Sequence, residues 1–322
     1  MEVRRLGKSE LIVSKLCFGS LTISALQRNF QVNEAEKLLI HGFEKGINFI
    51  DTAALYKNYH LLKDPVKRFG RKKIVLSTKS YAYSRETAEK SLVEALKGLD
   101  TDYIDLFMLH EQENEHTLRG HQEAIGYFIK MKERGIIKSF GISTHFIEGV
   151  KAATKREDID VIHPIINYRG IGIVDGTIEE MLKAVKEAKE KDIGIYAMKA
   201  LGGGHLLQDF QKGLEFALSL PFVDSIAIGM QRREEIDANV AYFETGKVDP
   251  ELVKKIKTAS RILHIADWCS GCGECVKRCQ MAALSPGDKA CSSGEKIVVD
   301  PNKCVFCGYC ASACPDFCIK VI

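Results

Sequence analysis

The sequence predicts an α/β protein with two domains: a (β/α)8 TIM barrel and, after it, a small cysteine-rich α+β domain. Short apolar runs begin near residues 16, 47, 74, 104, 138, 161, 193 and 224, and amphipathic segments separate them. Each unit takes roughly the 30 residues of a strand, helix and strand crossover, and eight such units make a barrel. Ten of the eleven cysteines lie between Cys269 and Cys318, so the chain changes character near His264. We therefore expect the barrel at residues 1–264 and the second domain at residues 265–322.

Local patterns predict the individual elements. Residues 1–15 suggest a short hairpin that closes the bottom of the barrel, and Leu16 begins the first core strand. The first helix is expected to follow an N-cap at Asn33 and to stop at Gly46. An open doubly wound sheet is the rival α/β fold, but no spaced-glycine fingerprint follows the first strand.

One more helix is predicted beyond the eighth unit, over residues 250–264. A helix of this length spans roughly 22 Å at 1.5 Å per residue. Because the eighth barrel helix runs away from the carboxyl ends of the strands, the additional helix would return the chain toward them. We therefore expect the small domain at the carboxyl-terminal face of the barrel, where barrel enzymes have their active sites.

Composition limits the classes of function. The 322 residues are 45% hydrophobic and 28% charged, which suits a globular protein with a full barrel and a small second domain. A net charge of +3 is too small to indicate nucleic-acid binding. The amino terminus lacks an apolar segment of signal-peptide length, and no run approaches the ~18 apolar residues of a membrane helix. We expect a cytoplasmic protein without a nucleic-acid or membrane partner.

Three successive strands end in ionisable residues. The run from Ile47 ends at Asp51, with Tyr56 five residues later, while the next two strands end at Lys79 and His110. Any one of these residues alone is more often a solvated loop residue or a helix cap. Three in succession are hard to explain by packing, and the carboxyl ends of barrel strands meet at one rim.

This ordered set resembles the aldo-keto reductases, and the resemblance runs from about Val3 to Phe243. It implies an enzyme that reduces a small carbonyl compound, an aldehyde or ketone, with NADP(H) or NAD(H). It also implies that Tyr56 is the general acid and that His110 orients the substrate oxygen. Lys79 and Asp51 would make the Tyr56 phenol more acidic, because a nearby ammonium stabilises the phenolate.

The same resemblance implies contacts to the nicotinamide cofactor. Ser143 and Asn167 match positions that hold the nicotinamide carboxamide. Met198 stands where an aromatic ring often stacks on the nicotinamide, and His163 replaces a usual glutamine.

Two further segments are candidates for the rest of the nucleotide. The glycine run containing Gly202 and Gly203 would bring backbone amides to the pyrophosphate, or it is only a flexible connection. Arg232, Arg233 and Asn239 follow the eighth strand, where the family holds the adenosine end. Either arginine would suit a 2′-phosphate and thus NADPH, although solvated surface is an equal alternative.

The cysteines form two runs with the spacing C-x2-C-x2-C-x3-C, which resembles the bacterial two-cluster ferredoxins. In that pattern the fourth cysteine of each run ligates the other cluster. One 4Fe-4S cluster is assigned the ligands Cys269, Cys272, Cys275 and Cys314. The other is assigned Cys304, Cys307, Cys310 and Cys279. Structural zinc is the alternative, but zinc sites generally use pairs of ligands rather than tight quartets.

The combination leaves three functions open, because a hydride carries two electrons and an iron-sulfur cluster usually passes one. The first is carbonyl reduction by NAD(P)H in a pocket partly covered by the ferredoxin-like domain. The second is electron transfer between an external one-electron carrier protein and a flavin or substrate held in the barrel. No flavin motif is visible, so a flavin is not indicated, although a barrel can hold one without a motif. The third is a nucleotide-binding redox sensor, which would need no proton donor.

Overall fold

A short hairpin and a closed barrel form the first part of the computed structural model, which describes residues 1–206, 209–258, 262–292, 294–304 and 309–321. The hairpin pairs β1 (Val3–Arg5) with β2 (Ile12–Ser14). The barrel strands are β3 (Leu16–Gly19), β4 (Phe49–Asp51), β5 (Val75–Ser80), β6 (Ile104–Leu109), β7 (Ile137–Thr144), β8 (Val161–Pro164), β9 (Gly194–Ala197) and β10 (Ser225–Ile228). All eight pair in parallel in chain order, and β10 closes against β3. The predicted (β/α)8 barrel is confirmed.

Helices surround the barrel and cover its apolar outer face. They are α1 (Val32–Glu44), α2 (Tyr59–Phe69), α3 (Arg85–Leu99), α4 (Glu115–Gly120), α5 (Gln122–Glu133), α6 (Ile147–Thr154), α7 (Ile178–Glu190), α8 (Phe210–Leu218) and α9 (Arg233–Thr245). A further helix, α10 (Pro250–Thr258), packs against α9. None of the helices in the described ranges has both the length and the apolar character that a membrane span requires.

The hairpin closes one end of the barrel, as predicted. Leu6, Leu11 and Val13 are buried, and they pack in one cluster with inward side chains of the barrel strands such as Phe49 and Leu106. This packing fills the amino-terminal end of the barrel with apolar atoms. The opposite end is therefore the one left open for a ligand.

The small domain, as we call the elements from residue 263 onward, is built from two antiparallel strand pairs and two short helices. Its elements are β11 (Leu263–Ile265), α11 (Glu274–Arg278), β12 (Leu284–Cys291), β13 (Gly294–Val299), α12 (Tyr309–Ser312) and β14 (Ile319–Val321). β11 pairs with β14, and β12 pairs with β13. The first and last strands of the domain therefore lie side by side.

Two predicted helix boundaries were wrong. The first helix begins at Val32 rather than after Asn33, because the Gln31 backbone N–H donates to the Glu34 carboxylate at 2.9 Å in a capping box. The helix predicted over residues 250–264 is described over Pro250–Thr258, and residues 259–261 lie outside the described ranges. Its last two predicted residues are not helical, because Leu263 begins β11, where it is buried in the core of the small domain. Pairing with β14 thus overrides the local helical pattern. Since the expected boundary at His264 falls within β11, we propose that the small domain begins at Leu263.

Phe317 attaches the small domain to the carboxyl-terminal face of the barrel, where we expected this domain. Its ring stacks on His205 with centroids 5.2 Å apart, and the Lys199 ammonium lies 4.0 Å from its centre. Two barrel glycines make room for the ring: a Cβ at Gly172 would lie 2.3 Å from Phe317 Cζ, and one at Gly203 would lie 3.1 Å from Cδ1. The interface is therefore shaped by small residues on the barrel and a large one on the small domain.

Gly172→Ala should lower the free energy of unfolding by about 1–3 kcal/mol, because Gly172 has a φ of +89° and its new Cβ would overlap Phe317. Urea denaturation followed by circular dichroism measures this change. The matched control is Gly126→Ala in α5, where a Cβ meets no atom within 4 Å and a gain of about 0.5–1 kcal/mol is expected. Equal stability of the two variants would contradict the proposed fit.

Candidate active site

The four candidate catalytic residues line one cavity of about 1100 Å³ at the open end of the barrel. Asp51 ends β4, Lys79 lies near the end of β5, and His110 directly follows β6. Tyr56 ends a single 3-10 turn, Ala54–Tyr56, in the loop after β4. Parallel strands explain this convergence, because their carboxyl ends meet at one rim.

Asp51 and Lys79 form a buried ion pair beneath the cavity. Lys79 Nζ lies 2.6 Å from Asp51 Oδ1 and donates a second hydrogen bond to the Thr52 carbonyl at 2.9 Å. The Tyr196 hydroxyl also donates to Asp51 Oδ1, at 2.9 Å. The carboxylate and the ammonium therefore each have a further polar partner, as buried charges require.

A buried polar network positions the loop that carries Tyr56. The Asn58 side chain accepts a hydrogen bond from the Thr52 hydroxyl at 2.7 Å and donates to the Ser20 carbonyl at 2.9 Å. The Tyr56 ring lies with its centre 5.4 Å from Lys79 Nζ and 6.2 Å from the His110 ring. The loop thus holds the phenol between the ion pair and the histidine.

The expected acidification of Tyr56 is not what the structure gives. Burial raises the pKa of the phenol well above its usual value, and the carboxylates of Asp51 and Glu111 raise it further. Asp51 compensates the Lys79 charge at 2.6 Å, much closer than the phenol ring. Tyr56 is therefore fully protonated at neutral pH.

His110 is neutral and has a free ring nitrogen. Burial lowers its pKa well below the usual value, and the positive charge of Lys79 lowers it further. Its Nδ1 is buried and has no hydrogen-bond partner in the described chain. The ring stacks on Tyr81 with centroids 4.5 Å apart. A neutral imidazole held in this way can donate one hydrogen bond without carrying charge.

The predicted nicotinamide contacts divide into two groups. Met198 and His163 lie on the cavity wall. The His163 ring stacks on Tyr196 at 3.8 Å, and its Nδ1 bonds the Tyr196 carbonyl oxygen. Ser143 and Asn167 are fully buried and are not among the residues lining the cavity. Ser143 Oγ accepts the Glu111 amide, and the Asn167 side chain bonds the Ile171 backbone. Their contact with the nicotinamide carboxamide stays a prediction.

In each of the two segments predicted to hold the nucleotide, some of the predicted residues lie on the cavity wall and others do not. Gly203 lies on the cavity wall, whereas the neighbouring Gly202 is buried behind it. Arg232 and Asn239 line the cavity, whereas Arg233 is exposed outside it. Asn239 Nδ2 donates to the Glu235 carbonyl, and its buried Oδ1 has no partner in the described ranges. An acceptor atom is thus available at this end of the cavity.

Seven of the eight predicted cluster ligands lie within the described residues, and Cys307 lies outside them. Burial, followed by the nearby thiols of Cys314, Cys269 and Cys272, raises the pKa of Cys275 to about 11. The four thiols assigned to one cluster are therefore neighbours, although Cys314 is distant in sequence. Of the other assigned set, Cys310 is buried in the same core as Cys275, and Cys304 and Cys279 pack against it.

The two cysteine runs repeat in structure as well as in sequence. The Cys279 sulfur accepts the backbone N–H of Ala283 at 3.4 Å, and the Cys314 sulfur accepts that of Cys318 at 3.2 Å. Both acceptors lie four residues before their donors, and both donors are buried. Cys318 thus occupies the place of Ala283 in the repeat, and it is not one of the eight predicted ligands.

Sequence reasoning missed several side chains around the cavity. Tyr196 lies inside an apolar run and looked like core, although it bonds Asp51. Tyr81 follows Lys79 by two residues. Because side chains alternate between the two faces of a strand, this spacing could have indicated that both face the cavity. Lys199 and Lys320 also line the cavity, but Lys320 reaches it only through docking of the small domain. No local pattern in the sequence could have indicated that contact.

Comparisons with known proteins agree with this architecture. The aldo/keto reductase family model matches residues 15–215, and the 4Fe-4S dicluster domain model matches residues 268–318. The oxidoreductase YqkF of Bacillus subtilis is 25% identical over 81% of this chain and 97% of its own length. L-galactose dehydrogenase of Arabidopsis thaliana is 22% identical over 84% of this chain and 98% of its own length.

Solved structures give the same result. An aldo-keto reductase from Pseudomonas aeruginosa superposes with a TM-score of 0.65 at 25% identity, covering 75% of this chain and 94% of that structure. The family model covers more than half of the chain described here, and its match includes the buried ion pair, the phenol and the histidine. The chain therefore belongs to the aldo/keto reductase family and is an oxidoreductase with a C-terminal 4Fe-4S dicluster domain.

Proposed function

We propose that this oxidoreductase reduces an aldehyde or ketone to an alcohol with NADPH or NADH. The convergence of Tyr56, His110 and the Asp51–Lys79 ion pair on one cavity carries the proposal. The cavity holds a proton donor, a neutral hydrogen-bond donor and a fixed positive charge, which are the groups that a developing alkoxide needs. Apolar side chains such as Met198 and Ile228 line the same cavity.

Each side chain has a distinct task in this scheme. A reduced nicotinamide, when bound, supplies the hydride. His110 donates a hydrogen bond to the carbonyl oxygen and orients it. Tyr56 gives its proton to the same oxygen as negative charge develops, because an alkoxide is a far stronger base than a phenolate. The Lys79 ammonium lies 5.4 Å from the ring centre and would offset only part of the burial and carboxylate charge that disfavour the phenolate that remains.

Several cavity residues suit a dinucleotide. Met198 offers an apolar surface for the nicotinamide ring, and the backbone at Gly203 offers a close approach for phosphates. The unpartnered Asn239 Oδ1 suits an amino group such as that of adenine. Arg232 would contact a 2′-phosphate, which would favour NADPH. Ser143 and Asn167 remain candidates for the carboxamide, because the Ser143 hydroxyl and the Asn167 amide each keep an N–H or O–H donor beyond the bonds they make within the protein.

We further propose that the eight cysteines hold two 4Fe-4S clusters. Cys269, Cys272, Cys275 and Cys314 would bind one of them. Cys304, Cys307, Cys310 and Cys279 would bind the other. The backbone N–H groups that reach the Cys279 and Cys314 sulfurs suit thiolate ligands, because such hydrogen bonds stabilise the negative charge. When bound, the clusters supply one-electron chemistry.

A second candidate function is electron transfer between a one-electron carrier protein and a group in the cavity. One observation favours it: Pro315, Asp316 and Phe317 line the cavity and directly follow the proposed ligand Cys314. A cluster bound there would lie next to the cavity wall. A flavin or another group that accepts single electrons would then be needed in the cavity.

Tyr56→Phe should reduce turnover of an aldehyde such as 4-nitrobenzaldehyde by a factor of about 10²–10⁴, because the proton donor is lost. NADPH binding, followed by fluorescence titration, should remain unchanged. The matched control is Tyr83→Phe, which removes a hydroxyl that is exposed and off the cavity wall. A Tyr56→Phe enzyme as active as the Tyr83→Phe enzyme would show that Tyr56 is not the acid.

NADPH should leave the visible absorbance of the clusters unchanged, because in the proposed reductase function its hydride is transferred only to a carbonyl carbon and no electrons pass to iron. The measurement uses anaerobic holoprotein, with dithionite as the positive control for cluster reduction. Bleaching by NADPH, with a flavin released from a denatured sample, would favour the electron-transfer function instead.

A further inference from the structure

Two lysines from different domains face the same cavity. Lys199 follows β9 on the barrel, and Lys320 lies in β14 of the small domain. Among the described residues, neither ammonium has a carboxylate within ion-pair distance. Elsewhere in these domains, partly buried cations such as Lys132, Lys189 and Arg71 each pair with an aspartate. The two cavity lysines therefore differ from these cations in having no carboxylate partner, and a bound anion would supply one.

The surroundings of Lys199 make its charge costly without a ligand. Burial and the positive charge of Lys320 lower the pKa of Lys199 to about 7. Its Nζ lies 3.0 Å from His145 Nε2 and 4.0 Å from the centre of the Phe317 ring. Lys199 also has a φ of +55°, a strained conformation for a residue other than glycine. Strain and an unpaired charge at one position indicate a functional role rather than a stabilising one.

Lys320 is in a similar position on the other wall. Burial lowers its pKa to about 8. Burial lowers the pKa of His205 to about 4, and the positive charges of Lys199 and Lys320 contribute to this shift. Both lysines therefore lie near the His205 ring. Both ring nitrogens of His205 are buried and have no partner in the described ranges. In the part of the chain that the structure describes, the junction between the domains therefore contains two cations and neutral imidazoles. The Glu111 carboxylate on the same cavity wall favours the charged form of Lys199 but lies beyond ion-pair distance.

We propose that Lys199 and Lys320 form an oxyanion-binding site that is complete only when the small domain is docked. Its ligand is a phosphate or carboxylate group of a molecule in the cavity. That group belongs either to the pyrophosphate of a dinucleotide or to an anionic carbonyl substrate. The identity of the ligand rests on the proposed reductase function, whereas binding of an anion does not. The small domain thereby supplies a binding residue to the barrel site.

The test compares Lys199→Met and Lys320→Met with the wild-type holoprotein. Calorimetry gives the Kd of inorganic pyrophosphate and of NADPH, which requires no turnover. Steady-state kinetics give KM for 4-carboxybenzaldehyde and for the neutral 4-nitrobenzaldehyde. Lys289→Met is the matched control, since Lys289 is an exposed lysine of the small domain away from the cavity. Lys199→Arg and Lys320→Arg keep the charge, and cluster absorbance reports folding.

Each Met variant should weaken anion binding about tenfold or more, because a charged hydrogen bond is lost. Weaker binding of pyrophosphate and NADPH assigns the site to the nucleotide. A higher KM for the carboxylated aldehyde alone assigns it to the substrate. The Arg variants should retain binding in either case. Folded Met variants that match Lys289→Met in every measurement would overturn the site, whereas a wild type that reduces no aldehyde but binds pyrophosphate would contradict only the reductase function.

Discussion

The Asp51–Lys79 ion pair is the constraint on which the site depends. Two opposite charges 2.6 Å apart, each less than a tenth exposed, are stable only if their remaining polar capacity is satisfied. The Thr52 carbonyl and the Tyr196 hydroxyl meet that need. Because Asp51, Lys79 and Tyr196 lie on three different strands, closure of the barrel sets the geometry of the ion pair. Tyr56 and His110 then lie close to a charge that several hydrogen bonds hold in place.

The small domain changes what this family barrel presents to a ligand. Phe317 fits against two glycines of the barrel, and Lys320 and Trp268 extend the cavity wall. One short segment thus joins a proposed cluster ligand, Cys314, to the cavity. This arrangement allows the domain to contribute to binding whether or not its clusters exchange electrons with the cavity. The two roles are separable, because binding needs only the docked position and not a change of redox state.

The position of the strand-end residues at one rim could be predicted, because it follows from local sequence and from the parallel strands of a barrel. The cluster ligands could be proposed for a similar reason, because 4Fe-4S clusters have a characteristic cysteine spacing. Asp51, Lys79 and His110 each terminate an apolar run, and barrel topology brings such ends together. The hydrogen bonds of Ser143 and Asn167 could not be predicted from sequence, since their partners Glu111 and Ile171 reach them only in the folded chain. The contributions of Tyr196 and Lys320 to the site could not be predicted for a related reason. One depends on a contact across the barrel interior and the other on docking between domains.

Isotope transfer tests the central claim, direct hydride transfer to a carbonyl carbon, more directly than a rate does. Anaerobic holoprotein would be incubated with 4-nitrobenzaldehyde and NADPH dideuterated at the nicotinamide C4, and the alcohol analysed by mass spectrometry and NMR. The account predicts one deuterium on the carbinol carbon of each product molecule. An alcohol without deuterium at that carbon, formed while the nicotinamide is oxidised, would contradict it and indicate passage of electrons through another centre.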